Sequence, residues 1–170
     1  MIFIALGSNL NSNFGNKFDN INLAIKYMQD YGIEIVNRSS FYETSSYPNK
    51  NDPKFINVVV SIRSELSPIM LMSYLILIEN KLERKRGKKN DPRTCDIDIL
   101  DFKGKVLNFK FEDFDFTVPH KKMANRNFVL FPLKEISQNW IHPNTKENID
   151  TLIQKLSDED KNSILKVNKN

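Results

Sequence analysis

The sequence predicts an α+β fold in which an antiparallel sheet carries two helices on one face. Hydrophobic periodicity gives the element order strand, helix, strand, strand, helix, strand, which is that of the ferredoxin-like split βαβ arrangement. A chain of 170 residues with 40% hydrophobic and 27% charged residues is typical of one globular core. We therefore expect a single domain over 1–170, with C-terminal additions to the basic fold and a polar tail at 160–170.

The first half of the chain is predicted to form a strand, a helix and a second strand. An apolar run over 1–6 predicts a short buried strand. A helix over about 16–31 is predicted by the helical spacing of Phe18, Ile21, Ile25 and Met28. β-branched and aromatic residues over 33–44 predict a long strand, and the Ser-, Asn- and Pro-rich stretch over 45–53 predicts a loop.

The second half of the predicted sheet follows the order strand, helix, strand. Alternation over 55–63 predicts a strand whose core face carries Ile56, Val58, Val60 and Ile62. Ser67 followed by Pro68 is typical of a helix start, and the apolar stripe that follows predicts a helix ending at Gly87. A short strand over 97–102 completes the sheet.

The last third is predicted to add smaller elements to this sheet. Residues 105–116 are expected to form a hairpin-like excursion. Short helices are expected over 121–125, 128–136 and 149–156.

Composition excludes several classes of protein. One Cys provides neither a disulfide framework nor a Cys-rich zinc module. No apolar run reaches the roughly 20 residues that a membrane span needs. The N-terminus shows no basic leader, so we expect a cytoplasmic protein. A net charge of +4 favours nucleic acid only if the cations cluster.

A pair of carboxylates is the first candidate site. Asp96 and Asp98 share one face of a strand, while Cys95, Ile97 and Ile99 face the core. Two such acids repel each other unless a cation lies between them, and Mg²⁺ commonly takes one or two carboxylates plus substrate phosphates. The alternative is two solvated acids, or acids paired with the nearby Arg and Lys.

A basic run directly precedes the carboxylates and is the second candidate. Six cations fall within ten residues: Arg84, Lys85, Arg86, Lys88, Lys89 and Arg93. Such a run suits a polyphosphate, which Arg binds through paired hydrogen bonds. A solvated helix end and a nucleic-acid patch are the alternatives, and the adjacent acids argue against nucleic acid.

Two further positions carry candidate binding chemistry. His120 stands beside two Lys, where it can donate to a phosphate, although a lone His is more often structural. Phe55 and Asn57 lie on the non-core strand face, where a ring can stack on a flat heterocycle and an amide can read its edge. Alternatively, Phe55 packs beneath the 45–53 loop. The sequence contains no Walker-type or GxGxxG motif.

Together these segments resemble the 6-hydroxymethyl-7,8-dihydropterin pyrophosphokinase family of folate biosynthesis. The most specific part is Pro-Arg-x-x-Asp-x-Asp at residues 92–98, followed by Val-Pro-His at 118–120. The resemblance runs in order through the segments 5–10, 39–44, 55–57, 91–100 and 117–128. Members have a ferredoxin-like α+β fold, which agrees with the element order.

The resemblance implies an enzyme that transfers the pyrophosphoryl group of MgATP to the hydroxymethyl group of the pterin and releases AMP. Two Mg²⁺ ions would lie between the two substrates. No separate general base is evident, so one of the acids or the metal would activate the hydroxyl. We expect partners to be these small molecules, not nucleic acid or a membrane. We also expect a monomer, which in this pathway can be linked to other folate enzymes.

The resemblance also assigns roles to individual residues. The implied metal ligands are Asp96 and Asp98. The implied catalytic residues are Arg84, Arg93, Asp96 and Asp98. The implied pterin-binding residues are Gly7, Thr44, Ser45, Phe55, Asn57, Arg126 and Phe128. The implied ATP-binding residues are Glu79, Arg84, Arg86, Lys89, Arg93, Ile99, Thr117, His120 and Lys121.

The chain departs from the family pattern in the basic loop and on the adenosine side. Asn90 stands where many members carry Trp, and Asp91 stands where Gly is usual. Asp115 stands where some members have Arg, and Lys121 where an aromatic residue is frequent. These departures concern ATP contacts and leave the metal and pterin assignments unchanged.

Two rival functions follow from the same residues. A ferredoxin-like RNA-binding module would stack bases on Phe55 and bind phosphates with the basic run. The adjacent carboxylates argue against it, because an RNA-stacking sheet gains nothing from them. A catalytically inactive relative is the second rival, although the chain retains every catalytic position of the family pattern.

Overall fold

The computed structural model describes residues 1–85, 91–111 and 114–169. The strands are β1 (Ile2–Ser8), β2 (Glu34–Arg38), β3 (Phe41–Thr44), β4 (Phe55–Arg63), β5 (Asp96–Phe102), β6 (Leu107–Phe111), β7 (Phe114–Val118) and β8 (Leu165–Val167). The helices are α1 (Lys17–Asp30), α2 (Pro68–Lys81), α3 (Asn127–Ile136), α4 (Ile149–Lys155) and α5 (Asp158–Asn162), with a 3-10 helix at Met123–Asn125.

A six-stranded antiparallel sheet forms the centre of the molecule. Its strands lie in the order β5-β1-β4-β3-β8, and β2 also pairs with β4. Helices α1 and α2 pack together on one face of this sheet. The arrangement confirms the predicted α+β fold with two helices on one face.

An extra residue divides the strand predicted over 33–44 into β2 and β3. Relative to β4, the pairing shifts by one residue between the two strands. At this break the Ser39 N–H donates to Val59 O at 2.9 Å, and the Val59 N–H donates to Ser39 Oγ at 3.0 Å. A side-chain hydroxyl therefore replaces a carbonyl in the ladder, as happens at β-bulges.

The C-terminal end of α2 differs from the prediction. The helix was expected to continue to Gly87, but it ends at Lys81. Glu83 takes a φ of 63°, which no α-helical residue has, and the Arg84 N–H returns to Glu79 O at 3.1 Å. The early end turns Arg84 back toward β5 instead of leaving it on a solvated helix.

The sheet buries apolar residues on both faces. Against α1 and α2, the first cluster contains the predicted core positions Ile56, Val58, Val60 and Ile62. On the opposite face, the second cluster joins Phe3, Val59 and Leu100 to α3 and α4. Val59, which alternation places away from the first core, is fully buried because the C-terminal helices cover it.

A β-bulge in β5 connects the sheet to the second cluster. The pairing of β1 with β5 shifts by one residue at Leu100. The Asp101 side chain consequently reaches this cluster, where its Oδ2 accepts a hydrogen bond from Trp140 Nε1 at 2.9 Å. Its Oδ1 accepts from the Gly104 N–H at 2.8 Å. Both Asp101 and Trp140 are buried.

The C-terminal segment takes part in the sheet. The prediction of a polar tail is wrong for residues 165–167, because β8 pairs with β3 and places Val167 opposite Phe41. Lys166 Nζ also lies 3.1 Å from the carboxylate of Glu135 on α3. An edge strand of three residues is too short to be recognised from its pattern.

The remaining small elements follow the predictions closely. Strands β6 and β7 form a separate two-stranded sheet, which confirms the hairpin-like excursion. Helices α3 and α4 match the predicted ranges within one residue at each end, whereas the helix predicted over 121–125 is only the 3-10 helix at Met123–Asn125. Among the described residues, we find no helix with the length and apolar character that a membrane crossing would require.

Replacing Asp101 should destabilise the protein through the second cluster. Asp101→Ala would leave the buried Trp140 Nε1 and Gly104 N–H without their acceptor, so we expect the free energy of unfolding to fall by about 1–3 kcal/mol. Urea unfolding followed by fluorescence measures this. Asp30→Ala, at an exposed position of α1, is the control and should change it by less than about 0.5 kcal/mol. Equal effects of both variants would contradict the assigned role of Asp101.

Candidate functional site

The site lies where the ends of three neighbouring strands meet. Gly7 of β1 is paired with Asn57 of β4 on one side and with Asp96 of β5 on the other. Residues directly opposite each other in antiparallel strands share a face. Asn57 and Asp96 therefore project from the same face, with a glycine between them. Gly7 is buried, and a Cβ there would lie 3.3 Å from Asn57 Oδ1 and 3.6 Å from Phe55 Cδ1, so a glycine allows both side chains to lie against β1.

The predicted orientation of β5 is confirmed. Cys95, Ile97 and Ile99 are buried in the first cluster. Asp96 and Asp98 project from the other face, where their side chains are 22% and 38% exposed. Asp98 is paired with Ala5 of β1, so a second small residue stands beside the carboxylates.

Asp96 is bound by two arginines. Its Oδ1 lies 2.6 Å from Arg84 Nη1, and its Oδ2 lies 2.7 Å from Arg93 Nη2. Arg84 also contacts the carboxylate of Glu79. Burial acts to lower the pKa of Arg84, but the charges of Asp96 and Glu79 outweigh it, so the pKa is raised. The guanidinium is therefore charged at neutral pH.

Asp98 has one cationic neighbour and one imidazole neighbour, both at longer distances. Arg126 Nη1 lies 3.6 Å from its Oδ2, and His120 Nε2 lies 4.0 Å from the same atom. Desolvation, followed by the charge of Asp96, raises the pKa of Asp98. Repulsion between the two acids is thus only partly neutralised by the surrounding cations.

His120 faces the carboxylates as a neutral donor. The backbone N–H of His120 donates to Leu100 O at 3.2 Å, which attaches the residue to β5. Its Nδ1 accepts the Lys122 N–H at 3.3 Å, so Nε2 carries the proton of the neutral ring. Burial, acting against the charge of Asp98, lowers the pKa of His120 below its usual value. The imidazole is accordingly uncharged at pH 7.

Each carboxylate is joined to an aromatic ring through one arginine. The guanidinium of Arg93, which binds Asp96, lies 5.0 Å from the ring centroid of Phe55. The guanidinium of Arg126, near Asp98, lies 5.4 Å from the ring centroid of Phe128. Both rings are half-buried. The structure thus brings two aromatic rings to the carboxylate pair from separate segments.

The amide of Asn57 has a defined orientation. Its Nδ2 donates to Thr44 Oγ1 at 3.0 Å and to Tyr42 O at 3.3 Å. Its Oδ1 therefore faces Gly7. Ser45, the residue after Thr44, is exposed at the start of the 45–54 loop.

Two predicted ATP-binding residues are placed away from the open surface. Glu79 is only 2% exposed, and its Oε1 accepts the Ile97 N–H at 2.7 Å while contacting Arg84. It therefore lies behind Arg84. Ile99 faces the core with 3% exposed, so that its side chain cannot reach a ligand and only its backbone can.

A separate cleft lies beside the β6–β7 hairpin. Its volume is about 410 Å³ and its lining includes Thr117 and Lys121, two of the predicted ATP-binding residues. Asp115 and the rings of Phe109 and Phe116 also line it, and these rings stack with centroids 5.7 Å apart. Two positions that depart from the family pattern, Asp115 and Lys121, thus meet in this cleft. The predicted contacts Arg86 and Lys89, together with Asn90, lie outside the described residues.

One residue that contacts the site was assigned from the sequence only to the turn under the pterin pocket, as part of the resembling segment 5–10. Asn9 is 2% exposed, and its side chain hydrogen-bonds to the backbone of Arg93. The sequence signals are the resemblance of segment 5–10 and an Asn directly after the Gly-Ser that ends β1. Because Asn is common in turns for local reasons, that signal does not distinguish a long-range partner.

Comparison with known proteins bears out the resemblance. Residues 3–138 match the family model of 7,8-dihydro-6-hydroxymethylpterin-pyrophosphokinase (HPPK). The 2-amino-4-hydroxy-6-hydroxymethyldihydropteridine pyrophosphokinase of Haemophilus influenzae is 34% identical over 92% of this chain and 92% of its own length. The protein of the same name from Synechocystis sp. is 36% identical over 86% of this chain and 73% of its own length.

Longer relatives contain the same region. The folic acid synthesis protein fol1 of Pneumocystis carinii is 34% identical over 96% of this chain, which spans only 21% of that protein. The fold agrees with a Plasmodium falciparum HPPK-DHPS crystal structure at a TM-score of 0.72 and 16% identity, covering 91% of this chain and 42% of that one. The matched residues 3–138 include every residue described above at the carboxylate pair. Because the family model matches most of the chain, the chain belongs to the HPPK family.

Proposed function

We propose that this chain transfers the pyrophosphoryl group of MgATP to the hydroxymethyl group of 6-hydroxymethyl-7,8-dihydropterin, with AMP as the second product. The observation that carries the proposal is the arrangement of Asp96 and Asp98 between cations and two aromatic rings. A charged polyphosphate and a flat heterocycle can meet there. The names of the similar H. influenzae and Synechocystis proteins support the same reaction.

The pterin would bind between the aromatic rings and the middle strand. Phe55 and Phe128 offer ring faces, and the worth of stacking is about 1–3 kcal/mol per ring on the scale of nucleobases. Asn57 Oδ1 offers an acceptor to an N–H group of the ligand edge, since its Nδ2 is engaged by Thr44. Gly7, which has no Cβ, allows this amide and the Phe55 ring to lie close against β1. We include Ser45 and Arg126 in the pterin set because they flank Thr44 and Phe128.

The carboxylate pair suits Mg²⁺. Desolvation, followed by the charge of Asp96, raises the pKa of Asp98, and a divalent cation bound between the two acids would relieve their repulsion. No group of three or more His, Cys, Asp or Glu side chains able to hold a metal is present among residues 1–85, 91–111 and 114–169. Two carboxylates are sufficient for Mg²⁺ when phosphates supply the other ligands. Bound Mg²⁺ would neutralise charge on the transferring group.

The arginines would change partners when ATP binds. Arg84 and Arg93 are held on Asp96, within reach of a phosphate that approaches the acids. Arg93 Nε is buried and has no hydrogen-bond partner among the described residues. A bidentate phosphate contact would satisfy it. His120, neutral with its Nε2 proton toward Asp98, would donate to a phosphate oxygen.

The adenosine end of ATP would occupy the cleft beside the hairpin. Thr117 and Lys121 line this cleft, and Phe109 and Phe116 supply apolar surface for the base. Lys121 makes this part of the site more polar than the family pattern suggests, and Asp115 reverses the sign of the charge that some members carry there. We therefore expect the adenosine contacts, more than the phosphate contacts, to differ from those of relatives.

We also propose that residues 1–170 act as one pyrophosphokinase domain in a monomer, with small-molecule substrates and no nucleic-acid or membrane partner. Relatives named as bifunctional folate synthesis proteins support linkage to other folate enzymes. The single Cys, Cys95, is a buried free thiol, which is compatible with the reducing cytoplasm that we propose as its location.

The direct test is an assay of AMP release. We expect AMP from ATP only when both Mg²⁺ and the pterin are present, with the pterin diphosphate formed in equal amount. Omission of the pterin and addition of EDTA are the controls. AMP release that does not depend on the pterin, or none with all three components, would overturn the proposal and favour the inactive-relative alternative.

Removing one carboxylate should abolish most of the turnover. Asp98→Asn keeps the size of the side chain and leaves the Arg84 and Arg93 pairs on Asp96 intact. We expect kcat to fall by about 100-fold or more, because a lost metal ligand costs several kcal/mol of charge stabilisation. Asp150→Asn, at an exposed position of α4, is the control. A rate within about threefold of wild type would refute the metal assignment of Asp98.

The aromatic rings should affect the pterin more than ATP. Phe55→Leu keeps apolar volume but removes the flat face, and Phe55→Tyr keeps the face. We expect the Leu variant to weaken pterin binding by about tenfold, from the lower part of the stacking range, and the Tyr variant to bind nearly as wild type. Phe128→Leu should behave in the same way. Calorimetric titration with pterin and with an ATP analogue measures both affinities. Equal losses of affinity for the two ligands would mean that these rings only pack against the protein and do not bind the pterin.

A further inference from the structure

Asn9 hydrogen-bonds to both the N–H and the C=O of the Arg93 backbone. Its Oδ1 accepts the Arg93 N–H at 2.7 Å, and its own N–H donates to Arg93 O at 3.1 Å. The neighbouring Leu10 N–H reaches the same carbonyl at 3.2 Å. The segment before β5 is thereby attached to the end of β1, although the two residues are 84 positions apart.

The other end of the same amide holds the loop between β3 and β4. Asn9 Nδ2 donates to Ser46 Oγ at 3.2 Å and to Pro53 O at 3.1 Å. Ser46 Oγ in turn donates to Pro53 O at 2.7 Å, so the beginning and the end of the loop are joined at this point. Pro53 stands two residues before Phe55.

The orientation of this amide is determined by its partners. Oδ1 faces an N–H donor and Nδ2 faces a carbonyl oxygen, so a rotated amide would place like groups together on both sides. With 2% of the residue exposed, water cannot replace these bonds easily. Asn9 therefore connects three segments in one arrangement.

We propose that Asn9 is a positioning residue that sets the distance between Arg93 and Phe55. The Arg93 guanidinium and the Phe55 ring lie 5.0 Å apart, and Asn9 holds the backbone of one and the approach to the other. The catalytic consequence rests on the proposed function, in which Arg93 meets the phosphates and Phe55 stacks on the pterin. Misplacing one reactant relative to the other costs rate more than affinity, because each substrate keeps its own contacts.

The kinetic test compares two buried asparagines of the same region. For Asn9→Ala we expect kcat to fall by about tenfold to 100-fold, with the KM of each substrate within about threefold of wild type. Asn20→Ala is the matched control, because Asn20 is fully buried and bonds to Leu10 O at 3.0 Å and to Ser12 Oγ at 2.6 Å. Its kcat should stay within about threefold of wild type. Equal losses of kcat in the two variants at equal thermal stability would overturn the proposal.

A double-mutant cycle tests whether Asn9 acts through Arg93. In single-turnover measurements, Asn9→Ala should cost less than about twofold when Arg93 is already replaced by Ala, because neighbours that act as a unit are not additive. If the two losses simply multiply, Asn9 does not act through Arg93 and the proposal fails.

A readout without substrate separates this inference from the proposed function. Hydrogen exchange of the Arg93 amide and of the 45–54 loop should be about tenfold faster or more in Asn9→Ala than in Asn20→Ala, since the acceptor of the Arg93 N–H is lost. Unchanged exchange would overturn the proposed holding role. If the wild-type chain releases no pterin-dependent AMP, the proposed function fails, whereas the exchange result still decides whether Asn9 holds these segments.

Discussion

The repulsion between Asp96 and Asp98 is the constraint on which the site depends. The two acids cannot move apart, because the core position of Ile97 between them fixes both on the opposite face of β5. Their charge is met by arginines from three places along the chain, Arg84 after α2, Arg93 before β5 and Arg126 before α3, and His120 after β7 faces them as a neutral donor. The end of α2, the end of β7 and the start of α3 are therefore all positioned around β5, which carries the two acids.

The location of the site follows from how the sheet is covered. One face is covered by α1 and α2, while α3 and α4 cover the other face at Phe3, Val59 and Leu100. Further along the same strands, small residues and acids replace the large apolar ones, and the side chains of Asp96 and Asp98 are partly exposed. The C-terminal additions thus form one wall of the site, and Phe128 at the start of α3 belongs to it.

The arginines have two uses in this arrangement. Without substrate they neutralise Asp96, and under the proposed function they meet the phosphates of ATP. Under that function, the Mg²⁺ ions that accompany ATP would bind the two carboxylates, and the guanidinium groups would then be free to bind the phosphates. Because Asn9 and Glu79 hold the backbone of Arg93 and the side chain of Arg84, this exchange needs only side-chain movement at Arg93 and little backbone change.

Much of the fold and of the site could be predicted from local sequence features. Alternation identified the core face of β4 and the shared face of the two acids, and helix caps located α2 at Ser67. The motif around residues 92–98 identified the family, and the site residues followed from it. These features depend on backbone period and on neighbouring residues, which a sequence displays directly.

Other features were decided only when distant segments came together. The early end of α2 depends on Arg84 meeting Glu79 and Asp96, and the burial of Val59 depends on helices that follow it by some 70 residues. The edge strand β8 exists because β3 offers it a partner, and Asn9 gains its role from an Arg93 N–H that lies 84 positions away. Hydrogen bonds and ion pairs of this kind join groups whose separation in sequence carries no pattern, so only the tertiary structure determines which of them meet.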